Sequence, residues 1–213
     1  MYSTIVSFFQ DGGAFMYPIL LVLAIGVAIA IERYIYLSVA RKNNRKQLAK
    51  LMPLLQSGDF KQAFTVTSKS KTAVCQMLSQ GLSRYKSASN RDDIETAMEE
   101  SMMEVVPRLE KRTHYIAMFA NIATLLGLLG TIIGLIRAFT AVAQVDPSMK
   151  AEILSTSISV AMNTTAFGLI VAIPLIFIYT VLQTKTTEIV DSLEMATVKF
   201  VNMIMQRKNI SGS

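Results

Sequence analysis

Three stretches of this chain are too long and too apolar to be accommodated in water. Residues Ala14 to Ile31 carry no charge before the sequence turns to "ERYIYL", and none lies between Tyr115 and Ile136 or between Ile153 and Gln183. A hydrocarbon core about 30 Å thick takes roughly 20 helical residues, so each stretch predicts one crossing. In lipid a backbone must satisfy its own hydrogen bonds, which for single segments leaves only the helix. The fold class follows: an all-α membrane protein with three transmembrane helices, at 14–37, 114–140 and 153–183. Composition agrees, because 52% of the 213 residues are hydrophobic and only 17% charged, outside the usual range of a soluble domain. The N-terminal "MYSTIVSFFQDGG" lacks a basic residue, and the apolar run after it is too long for a signal-peptide core, so the first segment is expected to stay as an anchor.

Charge placement predicts orientation. Residues 38 to 113 hold 14 of the Lys and Arg and residues 183 to 213 hold four, whereas the N-terminal tail has none and the stretch from Val142 to Glu152 has only Lys150. The positive-inside rule then places the N-terminus (1–13) and the loop 141–152 in the periplasm, and the middle region (38–113) and the C-terminal part (184–213) in the cytoplasm. This also accounts for the net charge of +6 without nucleic acid, since the cations lack aromatic interleaving and any nucleic-acid motif.

The polar regions read as helical. Apolar residues recur at helical spacing in "RKQLAKLMPLLQSGDFKQAFTV", with Gly58 separating two helices, and again in "TAVCQMLSQGLSRYK". The region 38–113 is too short for a large core of its own. From Asp92 the pattern runs without a stop into the second crossing, predicting one long helix that extends into the cytoplasm, with Asp92 and Asp93 suited to its N-terminus and Pro107 predicting a kink. The third crossing likewise continues outward, with an apolar stripe at Ile189, Leu193, Ala196 and Phe200. Methionines 98, 102, 103, 195, 203 and 205 read as packing residues rather than metal ligands. "YSTIVSFFQ" is amphipathic and predicts an interfacial helix; the final "ISGS" reads as a disordered end.

No enzyme signature is present: no HExxH, no phosphate-binding GK[ST] loop, no GxSxG, no paired Cys or His ligands. The expectation is a non-enzyme with no cofactor and no metal. Cys75 reads as an ordinary thiol and His114 as a wet interfacial histidine. Glu32, Arg33 and Arg137 stand at the ends of crossings, where they snorkel toward headgroups or pair between subunits. What remains is a pair of unusual helix faces. Gly127, Thr131 and Gly134 lie at i, i+4 and i+7, and Gly130 with Gly134 forms GxxxG. In the third crossing Ser157, Ala161, Thr164, Gly168 and Ala172 share one stripe bordered by Thr165, with Asn163 beside it and Pro174 beyond. The bland reading is close helix packing, with each hydroxyl returned to its own backbone. The functional reading is an ion pathway, because hydroxyl and amide oxygens can replace hydration water around an ion or meet a carboxylate.

"GGAFMYPILLVLAIGVAIAIERYIYL", "LLGLLGTIIGLIRAF" and "NTTAFGLIVAIPLIFIY" resemble, in order and spacing, the membrane segments of the MotA/TolQ/ExbB proton channel family, closest to ExbB/TolQ-like biopolymer transport subunits. The resemblance covers nearly the whole chain. It implies a homo-pentamer in the bacterial inner membrane, enclosing a dimeric single-pass partner of the ExbD, TolR or MotB type whose membrane aspartate carries the transported H+, or Na+ in some stators. It also implies a driven component, a TonB-like transducer or else a flagellar or gliding apparatus. Position by position, the threonine of the GT pair is Thr131 and the one before "AFGL" is Thr165, with Thr164 beside it. Where ExbB and TolQ members are expected to carry a glutamate, this chain has Val160. The tandem Thr164–Thr165 is similar to sodium-using stators, whereas the compact middle region resembles ExbB.

Overall fold

In a computed structural model, which describes residues 12–85 and 90–211, the described residues form six helices: α1 Met16–Ser57, α2 Phe60–Ser68, α3 Ala73–Arg84, α4 Arg91–Glu110, α5 Thr113–Val142 and α6 Lys150–Ser211. No strand occurs among them. Three helical runs are long and apolar enough to cross a membrane, Met16–Ser57, Arg91–Val142 and Lys150–Gln206. The interfacial helix expected over 1–13 lies almost wholly outside the described residues, while Ile210 and Ser211 of the expected tail continue α6.

The helix ends have local causes. Gly58 adopts φ 81°, a conformation that only glycine enters without penalty, and the amides of Gly58 and Asp59 turn back to the carbonyls of Leu55 and Leu54 at 3.2 and 3.0 Å. Asp59 then caps α2 by accepting from the Gln62 amide at 3.0 Å. At the start of α4 the Asn90 amide donates to Asp93 at 3.2 Å, and Asp92 and Asp93 stand in the first turn, where the helix dipole favours carboxylates. The helix expected to run from Asp92 into the second crossing is interrupted: α4 ends at Glu110, and Arg112 takes a left-handed φ of 66° before α5 begins. Neither glycine nor proline marks this break. Pro107 sits inside α4 and its carbonyl accepts from the Lys111 amide, so the chain turns just after the proline. The third crossing runs without a break through Pro174.

The chain divides into two compact units. Unit 1 comprises Met1–Glu32 and Arg112–Val181. Small residues fill much of its interior, with Ala120, Ala123, Ala161 and Ala172 at 2% exposure or less, while Leu21, Leu125, Ile136, Ile173 and Phe177 point outward. An outer surface this apolar requires lipid or other subunits rather than water.

Unit 2 comprises Arg33–Lys111 and Leu182–Ser213. Its core joins Leu51, Leu55, Met77, Leu78, Ile94 and Met98 with the C-terminal stripe Ile189, Leu193, Ala196 and Phe200, all buried. The middle region is therefore not left to its own small core, because α6 completes it. Gly81 leaves room for Phe200, whose ring a Cβ there would meet at 2.7 Å. Thr197 donates to the Met77 sulfur at 3.1 Å. Met98 is fully buried, as the packing reading requires, but Met103 and Met195 are exposed.

Candidate functional site

The glycine face of α5 places the site. A Cβ on Gly127 would stand 3.2 Å from the Thr165 Cα and 3.3 Å from the Gly168 Cα, and one on Gly168 would meet the Ala123 carbonyl oxygen at 2.7 Å. The backbones of α5 and α6 therefore touch with nothing between them. Gly134 faces Ala161, where an added Cβ would come within 2.8 Å of the alanine methyl, and Gly130 faces Thr164. Small residues at helical spacing permit this approach.

Two hydroxyls meet at the joint. Thr131 Oγ1 and Thr165 Oγ1 are in hydrogen-bond contact, and Thr165 donates to the Gly127 carbonyl at 2.9 Å. Thr131 also lies 3.3 Å from the Gly127 carbonyl and 3.4 Å from that of Ala161. Each hydroxyl has one proton, and one assignment serves the shorter contacts together: Thr131 donates to Thr165, and Thr165 to Gly127. In that assignment the Thr131 oxygen accepts no hydrogen bond within the joint. Thr131 and Thr165 are each half-buried, so the pair is reachable from outside the packed joint.

Thr164, one residue away, is separated from this pair. It is 3% exposed, and its hydroxyl reaches the Gly12 carbonyl at 2.7 Å and that of Val160 at 3.0 Å. Thr164 thus holds the segment leading into α1. Gly13 has φ 73° and faces Val160, which a Cβ there would meet at 3.3 Å. Asn163 and Ser157 are half-buried and find no side-chain hydrogen-bond partner among the described residues. Gly26 of α1 packs against Leu175, one residue beyond Pro174, and a Cβ at Gly26 would come within 3.0 Å of the leucine methyl.

The terminal charges divide. Arg137 is exposed. Glu32 lies 3.7 Å from Arg112, both about half exposed, an ion pair within the chain. Arg33, expected at the headgroups, is instead only 3% exposed: it donates to the Leu109 carbonyl and lies 4.6 Å from the Tyr36 ring centroid. The last carbonyls of a helix lack intrahelical partners and attract cations, which gives Arg33 its place at the end of α4. His114 is exposed, with its ring 6.4 Å from that of Tyr179. Cys75 is buried. Among the described residues no cluster of His, Cys, Asp or Glu is suited to a metal.

The sequence did not point to the acceptors: the carbonyls of Gly12, Gly127 and Ala161, and that of Leu109 for Arg33. Only the glycine pair in "DGG" signalled that the backbone before α1 is special.

Residues 69–195 match the MotA/TolQ/ExbB proton channel family. A putative biopolymer transport protein ExbB homolog of Methanothermobacter thermautotrophicus is 26% identical over 197 residues, covering 91% of this chain and 68% of that protein. Biopolymer transport protein ExbB of Aquifex aeolicus is 33% identical over 111 residues, covering 52% of this chain and 72% of its own length. A further biopolymer transport protein, exbB1 of Vibrio cholerae, is 49% identical over 53 residues, or 25% of this chain and 23% of that one.

Proposed function

Because the chain belongs to the MotA/TolQ/ExbB proton channel family, a family of channel and transport subunits rather than enzymes, we propose that it is the channel subunit of an ion-driven motor serving biopolymer transport. The observation that carries this reading is the half-buried Thr131–Thr165 pair at the glycine joint of α5 and α6. Five copies enclose two single-pass partners of the ExbD, TolR or MotB type in the inner membrane, with unit 2 in the cytoplasm where its cations belong and the N-terminus in the periplasm. The work is delivered to a TonB-like transducer.

The chemistry follows from what a hydroxyl lacks. It cannot store charge near neutral pH, so the titrating group must be the partner's carboxyl. When ionised, that carboxylate accepts from the Thr131 hydroxyl, whose proton turns from Thr165 toward it; when protonated, it donates to the Thr131 oxygen and, being neutral, passes an apolar surface at low cost. Each elementary charge crossing 100 mV releases about 2.3 kcal/mol, enough to bias one conformational step. The ion is H+; Na+ would use the same oxygens as ligands.

A second reading, a membrane scaffold without ion coupling, has its own support, because the Thr165 hydroxyl already has a backbone acceptor. The two part at the threonines. In vesicles holding the chain and its partner, Thr131→Val and Thr165→Val should assemble normally and lose most coupled flux, whereas Gly130→Leu should prevent assembly. Normal flux in both threonine variants would count against the pair as the ion pathway, and no coupled flux in the wild-type assembly would leave the scaffold reading standing. The chain without its partner should conduct no ions, and replacing sodium by another cation should leave flux unchanged.

A further inference from the structure

Unit 2 contains a cavity of about 760 Å³ lined by Ser38, Arg41, Lys42, Arg45, Lys46 and Lys185. Residues 38, 41, 42, 45 and 46 fall at the i, i+3, i+4, i+7, i+8 spacing of one helix face, and Lys185 approaches from α6. From Arg33 to Gly58 the sequence has no acidic residue. Arg41 is paired with Glu188 at 2.9 Å, but among the described residues no acid pairs with Lys42, Arg45 or Lys46. Five cations against one carboxylate leave four charges uncompensated in one groove. Self-repulsion of this kind is costly to the folded chain, and a bound anion relieves it.

The rim identifies the anion. Tyr34, Ile35, Tyr36 and Val39, on the turns of α1 just before the groove, are 53%, 57%, 41% and 53% exposed. Tyrosines among exposed aliphatic residues mark the edge of a bilayer. Lys185 is pinned to this rim, with its ammonium 3.6 Å from the Tyr34 ring centroid and 3.2 Å from the Ser38 hydroxyl. The basic stripe begins two residues after Val39, roughly 3 Å along the helix, at headgroup depth. A free phosphate gains nothing from an apolar rim. A phospholipid places its acyl chains along Tyr34 to Val39 and its phosphodiester among guanidinium and ammonium groups, which bind such oxygens through charge-assisted hydrogen bonds.

We propose that this groove is a binding site for the headgroup of an anionic phospholipid, a reading that rests on the membrane placement of α1 and not on ion coupling. The test is native mass spectrometry of the full chain released from neutral detergent, after equilibration with phosphatidylglycerol and phosphatidylcholine of identical acyl chains. The wild type should retain phosphatidylglycerol preferentially. Each charge near a membrane surface contributes roughly fivefold, so Lys46→Gln should lower retention about fivefold and the triple variant Lys42→Gln/Arg45→Gln/Lys46→Gln about a hundredfold. A control removing the same charge elsewhere, Lys61→Gln/Lys69→Gln/Lys71→Gln, should retain lipid like the wild type. The single variant decides the matter if the triple one loses its helical circular dichroism. Equal loss in the control, or retention unchanged in the groove variants, overturns the proposal. Inorganic phosphate at millimolar concentration, without lipid, should leave the melting temperature unchanged. Stabilisation by phosphate that the groove variants abolish, with no preference for phosphatidylglycerol, would assign the groove to a soluble anion instead.

Discussion

Gly168 has no room for a methyl group, because its neighbours on α5 are backbone, the Ala123 carbonyl at 2.7 Å and the Gly127 Cα at 3.1 Å from an added Cβ. Backbone yields only by moving a helix, so Gly168→Ala should cost about 1–3 kcal/mol and lower the melting temperature in detergent. An unchanged melting temperature would mean that α5 and α6 stand further apart. Thr113 makes the opposite case. Its hydroxyl is fully buried without a hydrogen-bond partner among the described residues, and such a group carries an unrecovered desolvation cost. Thr113→Val should therefore stabilise the chain by about 1 kcal/mol; a lower melting temperature would reveal a partner for the hydroxyl. The small face that carries Thr131 and the stripe that Thr165 borders were legible in the sequence because i, i+4 and i+7 spacing needs only helix geometry; that the two hydroxyls meet was not. The division of labour between Thr165 and Thr164 was not: the Gly12 carbonyl that holds Thr164 is 152 positions away, and periodicity within one helix carries no information about a distant acceptor.

At the scale of elements, the sequence was legible where a residue's chemistry forces the backbone and silent where it does not. Gly58 ended α1 as expected, since φ 81° selects glycine. The break between α4 and α5 leaves no mark in the sequence, because an arginine occupies its left-handed position and the apolar pattern runs on across it. A non-glycine residue there costs roughly 1 kcal/mol, partly offset by the half-exposed ion pair with Glu32, itself worth no more than about 1 kcal/mol. Arg112→Gly should accordingly be nearly neutral in thermal melts, while Arg112→Val, β-branched and without the charge, should lose more than about 1 kcal/mol. Equal effects of the two would show that the turn does not depend on this φ angle. Arg33 was read as an interfacial charge for a related reason. Position in sequence put it at the end of an apolar run, and only the packing of α4 turns it inward to Leu109.

At the scale of the whole molecule, the apolar runs foretold three helices long and apolar enough to cross a membrane, but not that α6 closes the core of unit 2. Residues 38–113 read as too small for a sizeable core, which was correct as arithmetic and incomplete as structure, because Ile189, Leu193, Ala196 and Phe200 supply the missing wall. Phe200 is fully buried, so Phe200→Ala should cost about 3–5 kcal/mol, read as a lower melting temperature with the Thr131–Thr165 joint unaffected; a loss below about 1 kcal/mol would detach α6 from that core. The arrangement also sets a timetable for biosynthesis. Unit 2 is made in two instalments, with the 70 residues from Arg112 to Val181 between them. At 5–20 residues per second of synthesis, Ile94 and Met98 wait roughly 4 to 14 seconds for their cover while two crossings are being inserted. During that interval a newborn chain shows a folding chaperone the surface that the finished protein hides, and a ribosome halted before Leu182 delivers to the quality-control proteases a chain that can never hide it.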